Sequence, residues 1–430
     1  MSAAEPDPPA PAEDDNRRRS FLLLFSTLLV VGFGNTMLLA LLPPLARRMG
    51  LADTSVGWIF SLSALIWVFA SSFWGRMSDR KGRKPIIALG LAAYCVSMTL
   101  FALICIAGVN HWAPPAAIFV GLLLSRAIFG AIGSASSPAG QAYVADRTSP
   151  QERTEELASL GAAFALGATL GPALSGVLAA QVGPIPPLFL VAAMAATASF
   201  AIMRFLPESK TPELPLQRGK RETTWKLALD PRVSGFLLYG LGISVVTGML
   251  QQTFTFYTMD RLKLDEATTI VYASNGLMVG ALALLATQLG LLRMLKLQGR
   301  SLMVLGGAVI VCGVLLQISA ETLNFLLVAQ FMQGVGFGLA RPGFSGGASL
   351  SVRPEEQGGL AGLTVAVNGA GFVISPLAGV TLYEAAGMHA PLWLAVGILT
   401  SMTLFAVFSR RLRATGGVSS SSPASGPEGG

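Results

Sequence analysis

Long apolar runs alternate with short polar breaks from residue 20 to about residue 410. The runs fall at 20–45, 54–75, 85–109, 114–142, 154–181, 186–206, 233–258, 268–292, 301–319, 322–348, 358–385 and 390–409. Most approach or exceed the roughly 20 residues a helix needs to cross a hydrocarbon core about 30 Å thick. Inside such a core the backbone must satisfy its own hydrogen bonds, so the runs predict helices. The expected architecture is an all-α integral membrane protein of twelve spans, with both ends of the chain on one side. Polar stretches at 1–19 and 411–430 predict unstructured tails. The Pro-containing, mixed-charge stretch 207–232 predicts a flexible linker between six-helix halves at 20–206 and 233–410.

Composition agrees. Only 12% of residues are charged and mean hydropathy is +0.61, which leaves no room for a sizeable soluble domain. The net charge of +7 could suggest nucleic acid, but the basic residues collect in loops on the side of the termini. Only Arg47, Arg48, Arg261 and Lys263 fall in loops on the opposite side. That asymmetry predicts cytoplasmic N- and C-termini and a plasma-membrane location, an inner membrane if the source is bacterial. Cys95, Cys105 and Cys312 all lie in apolar runs, at a spacing that matches no zinc or haem motif. No metal or cofactor is expected.

The two halves share a register. At one constant offset Gly130 pairs with Gly334, Pro138 with Pro342, Gly167 with Gly371 and Pro172 with Pro376. Helices tolerate Gly and Pro least, so a shared register of both indicates duplication.

The run from Gly75 to Pro85, GRMSDRKGRKP, lies between two apolar segments and reads as a short loop with a tight reversal bracketed by Gly75 and Gly82. It resembles the G-x-x-x-D-R-x-G-R-K signature of the major facilitator superfamily. Arg126-Ala-Ile-Phe-Gly130 resembles that family's fourth-span R-x-x-x-G motif. The stretch Gly167 to Gly176, with Gly171 and Pro172, resembles the fifth-span G-x-x-x-G-P-x-x-G-G motif of its exporters. Leu206-Pro207-Glu208-Ser209 fits the same branch. The chain thus resembles the 12-span drug:proton antiporters, tetracycline exporters among them. The resemblance implies two pseudo-symmetric six-helix halves, a substrate site between them at mid-membrane, alternating access and a monomer.

It further implies that Gly75, Asp79, Arg80, Gly82, Arg83 and Asp146 form a cytoplasmic latch holding the outward-facing state. The alternative for this run is a plain orientation signal. Arg126 and Arg341 are the charges inside spans. A lone charge there must face a cavity or a partner. For Arg126, proton coupling or an anion contact stands beside a structural role bonded to backbone carbonyls. The small residues of the fifth span permit close helix packing, and the resemblance adds control of leak and exchange direction.

The chain also departs from the family. Tetracycline exporters carry aspartates in their first and third spans, where this sequence has Val31 and Ser97. No Asp, Glu or His sits mid-span, so proton coupling would run through Arg126 with Asp146, or through Glu384. Candidate cavity residues are neutral: Asn35, Gln251, Gln252, Asn275, Gln330 and Asn368, each of which could equally bond a neighbouring helix. Trp67, Phe254, Phe256 and Tyr257 could add aromatic walls. This set suits amphipathic small molecules, and two arginines without a carboxylate favour neutral or anionic ones. Alternatives are a dedicated exporter of an anionic metabolite such as a carboxylate siderophore, a proton-independent facilitator, and a transporter fold used as a sensor. The segment Gln252–Arg261 resembles seventh-span sequences of siderophore-linked members. No HExxH, Ser/His/Asp set or phosphate loop suggests an enzyme.

Overall fold

The computed structural model describes residues 11–208, 226–295, 297, 299–353 and 356–409. The tail 411–430 and most of the expected linker lie outside them. Twelve helices are long and apolar enough to cross a membrane. Spans 1 to 6 are Arg17–Arg48, Asp53–Lys81, Arg83–Val109, Pro115–Asp146, Glu155–Val182 and Pro186–Phe205. Spans 7 to 12 are Ser234–Leu262, Glu266–Leu291, Gly299–Ser319, Leu323–Ser349, Gln357–Ala386 and Ala390–Phe408.

Three helix boundaries differ from expectation. The first helix begins at Pro11, inside the stretch expected as a tail, because proline is tolerated in a first helical turn. At its other end it runs through Pro43 and Pro44 to Arg48. Arg47 and Arg48 are therefore last-turn residues rather than loop charges, where the partial negative charge of a helix C-terminus favours cations. The second span continues through Gly75 to Lys81, and only Gly82, at φ +93°, makes the reversal. The basic run is mostly helix.

The duplication is visible in the packing. In the first half span 1 packs on 5, 3 on 6, and 4 on 2 and 3; in the second, span 7 packs on 11, 9 on 12, and 10 on 8 and 9. The paired glycines explain the shared register. A Cβ on Gly167 would lie 2.1 Å from the Leu29 carbonyl oxygen, and one on Gly371 would lie 2.5 Å from the Ser244 Cβ. Each holds a span at backbone distance from its neighbour.

Span 4 is broken. Around Gly133–Ala135 it tightens to a 3₁₀ turn, and Ala135 N–H bonds the Ile132 carbonyl at 3.0 Å. That frees the Ala131 carbonyl, which accepts from Trp74 Nε1 at 2.6 Å. Pro138, which cannot donate to the preceding turn, places the break here. A side chain from span 2 thus satisfies a backbone group that lipid could not.

Candidate functional site

The halves meet through spans 2 and 11, 5 and 8, and 1 with 7 and 8. Among the described residues, every hydrogen bond and ion pair joining the halves lies towards the end of the spans opposite the termini. Deepest are Ser175 Oγ with Ser274 Oγ at 2.9 Å, Leu377 N–H donating to Ser61 Oγ at 3.0 Å, and Thr255 Oγ1 donating to the Leu39 carbonyl at 2.8 Å. At about 1.5 Å per residue, all three fall within roughly 14 Å of that end. Phe254, Ala40, Ala273 and Leu277 add a small apolar cluster at the same level.

A charged layer lies beyond them. Arg47 donates to Asp53 of its own half at 2.6 and 2.8 Å and to Asp260 of the other half at 2.5 and 2.9 Å. Asp260 also accepts from the Tyr383 hydroxyl at 2.6 Å. Arg48 pairs with Glu266 at 3.2 Å, and the Thr54 amide in the first turn of span 2 donates to Glu384 at 2.8 Å. A carboxylate suits a helix N-terminus, whose amides lack intrahelical acceptors. This end of the molecule is closed by a built gate.

Beneath it, one face of span 7 shows what the gate covers. Gln251 is one turn from Thr255, which bonds span 1 of the other half, on the same face and is exposed. Asn35 is one turn below Leu39 on span 1 and is half-buried. Arg126, 3% exposed, donates from Nη2 to Asn35 Oδ1 at 2.8 Å. Its guanidinium lies 4.4 Å from the Phe129 ring centre, and Trp67 packs against the same ring at 5.0 Å. Arg341 is half-buried, with its Nε unpartnered. Towards the terminus side, no hydrogen bond or ion pair among the described residues joins the halves.

Other candidates lie elsewhere. Tyr257 and Phe254 are fully buried; Tyr257 donates to the Gln317 carbonyl at 2.8 Å, and Phe254 packs beneath Gly276. Neither lines the gap, because each ring fills space between helices. Phe256, also buried, packs under Arg47 in the gate. Gln330 is buried against Gly280, and Asn368 accepts from Ser244 at 2.8 Å. Asn368 thus makes an interhelical hydrogen bond, while Gln330 is packed against the backbone of span 8. Gln252 is buried with its Nε2 unpartnered, and Asn275 is half-buried on span 8.

The basic run forms a compact cluster within the first half. Arg83, 6% exposed, bonds Asp79, Ser78 at 2.7 Å and Asp146 at 3.0 Å. Glu208 accepts from the Arg83 and Lys84 amides at 2.9 and 3.3 Å. A Cβ on Gly82 would meet that carboxylate at 3.0 Å. Arg80 is exposed, and Gly75 faces Pro138. Asp146 pairs with Arg83, several turns along span 4 from Arg126. In the fifth span, a Cβ on Gly171 would lie 2.4 Å from the Phe33 carbonyl oxygen, and one on Gly176 2.8 Å from Ser274 across the halves. Ser175, which meets Ser274, bonds back to the Pro172 carbonyl at 2.7 Å.

The gate residues Arg47, Asp53, Asp260 and Tyr383 escaped sequence reasoning, as did Tyr94. Charges of opposite sign at facing span ends were the available signal for the first three.

A family profile described as Major Facilitator Superfamily matches residues 24–316 and 293–426. The tetracycline resistance protein of class D from Salmonella ordonez is 27% identical over 355 residues, covering 81% of this chain and 86% of that protein. The quinolone resistance protein NorA of Staphylococcus aureus (strain MSSA476) is 24% identical over 394 residues, covering 90% and 95%. The crystal structure of the nucleoside transporter NupG superposes with a TM-score of 0.73 at 13% identity, covering 91% of this chain and 98% of that one. These similarities and the twelve spans make this a multi-pass plasma-membrane transporter and not an enzyme. The chain belongs to the major facilitator superfamily.

Proposed function

We propose that the protein exports amphipathic small molecules by alternating access, driven by proton antiport. The carrying observation is that the bonds joining the halves among the described residues all lie at the end opposite the termini, with exposed Gln251 and half-buried Asn35 beneath them. With the termini cytoplasmic, as the basic loops favour, this is the conformation that loads substrate from inside the cell. Similarity to proteins named for tetracycline and quinolone resistance supports export of drug-like compounds.

Each cluster then has a role. The gate holds the inward-facing state. The Arg83 cluster, whose ion pairs to Asp79 and Asp146 lie within the first half, latches the outward-facing state when the terminus side closes. Spans 1 and 5, in backbone contact at Gly167 and Gly171, move as one body. Two six-helix halves at 20–206 and 233–410, linked through 207–232, rock about the gap in a monomer. The test is accumulation of fluorescent amphipathic compounds in cells lacking their own pumps. Expression lowers accumulation and a protonophore restores it; unchanged accumulation across a chemically broad panel contradicts export.

A further inference from the structure

Six side chains from four spans converge at mid-depth in the first half. Arg126 and Phe129 come from span 4, Asn35 from span 1, Tyr94 from span 3, and Phe60 and Trp67 from span 2. The Tyr94 ring lies 4.6 Å from that of Phe129, and its hydroxyl stands 2.1 Å from where a Cβ on Gly34 would be. Phe60 is 5.8 Å from the guanidinium carbon.

The hydrogen bonding is incomplete in one specific way. A guanidinium carries five N–H donors, and Asn35 takes one of them. Arg126 Nε, Arg126 Nη1 and the Tyr94 hydroxyl are buried with no hydrogen-bond partner. The acidic side chains of the described spans sit at the span ends, Asp79 and Asp146 on one side, Asp260 and Glu384 on the other. Among the described residues no carboxylate lies at this depth to pair with the guanidinium. Asn35 takes one N–H of Nη2, and the Nε and Nη1 donors on either side of it are left without partners.

We propose that this cluster is the subsite for the carboxylate of an aromatic organic anion. The proposal rests on the export reading and names its substrate class. A planar fork with unpartnered donors beside Nη2 matches a carboxylate, which accepts two parallel N–H bonds once it takes the place of Asn35. The Tyr94 hydroxyl supplies a third donor. Phe60 and Trp67, both half-buried, form the wall for the ring. Asn35, half-buried between the gap and the guanidinium, is the side chain that the carboxylate displaces on entry. Its carbonyl is a neutral stand-in for the ligand's oxygen.

The experiment uses the full chain in nanodiscs and a matched series on one naphthalene scaffold: carboxylate, methyl ester and quaternary ammonium. Equilibrium binding is measured for the unaltered protein, Arg126→Gln, Arg126→Lys and Tyr94→Phe. The carboxylate should bind about tenfold more tightly than the ester, as a charge-assisted pair predicts. That preference should vanish in Arg126→Gln with ester affinity kept, persist in part in Arg126→Lys, and fall severalfold in Tyr94→Phe. Equal affinities in the unaltered protein, or an unchanged ratio in Arg126→Gln, overturn the proposal. If Arg126→Gln does not fold, an unchanged ratio in Tyr94→Phe overturns it. Loss of the preference in high chloride assigns the cluster to inorganic anions and also overturns it. Export of ester and ammonium without a carboxylate preference leaves the export reading standing and removes this site. A carboxylate preference in binding with no outward movement of any probe does the reverse.

Discussion

Arg47 and Asp260 tie the two halves together through two hydrogen bonds of 2.5 and 2.9 Å, and both side chains have second partners that hold them in place. Asp53 fixes the other edge of the guanidinium, and the Tyr383 hydroxyl fixes the carboxylate. Fixed partners lower the entropy lost in forming the bridge, so this pair should be worth more than a free surface ion pair. Asp260→Asn removes the charge and keeps the shape. It should shift the protein towards the outward-open state by about 1 kcal/mol, roughly fivefold in population. External labelling of Gln251→Cys in a Cys312→Ser background reads that shift as a faster rate with a membrane-impermeant maleimide.

Gly167 tests the packing account. Its missing Cβ would stand 2.1 Å from the Leu29 carbonyl oxygen, with backbone on both sides and nothing flexible to yield. Gly167→Ala should lower stability by roughly 1–3 kcal/mol, the usual cost of overpacking. Thermal unfolding in detergent measures it. Gly161→Ala, where nothing lies within 4 Å, should leave the melting temperature unchanged and serves as the control.

Arg83 and Arg341 should behave in opposite ways. Arg83 is buried between Asp79 and Asp146, so Arg83→Ala leaves two carboxylates without their cation and should cost about 3 kcal/mol. Arg341 makes no ion pair among the described residues and keeps an unpartnered Nε. Arg341→Gln should therefore melt no lower than the unaltered protein. If Arg341 instead holds a structural contact, its variant will melt lower as well.

The sequence was informative wherever a pattern extended along one helix. Twelve apolar runs and the glycine and proline register could be read from spacing, while the Asp79–Arg83–Asp146 cluster followed only from the family resemblance of its motif. Contacts between distant helices could not. Tyr257 and Phe254 look like cavity aromatics in a linear reading, yet which side of a helix faces the gap depends on how twelve helices rotate against each other. The Arg47–Asp260 pair was hidden for a related reason. The first helix runs past the predicted end of its apolar segment, which turns two apparent loop charges into gate residues. Asn35 was singled out by type, but its bond to Arg126 was not, because two single polar residues on different spans carry no mutual signal.

The most direct test of the account is transport by purified protein in liposomes with an imposed pH gradient and a trapped pH dye. The account predicts that adding an amphipathic substrate releases a proton flux opposite to substrate movement, and that Arg126→Gln abolishes it. Substrate movement with no proton flux would contradict proton antiport and leave a facilitator whose spans, lacking a mid-membrane carboxylate, couple to nothing.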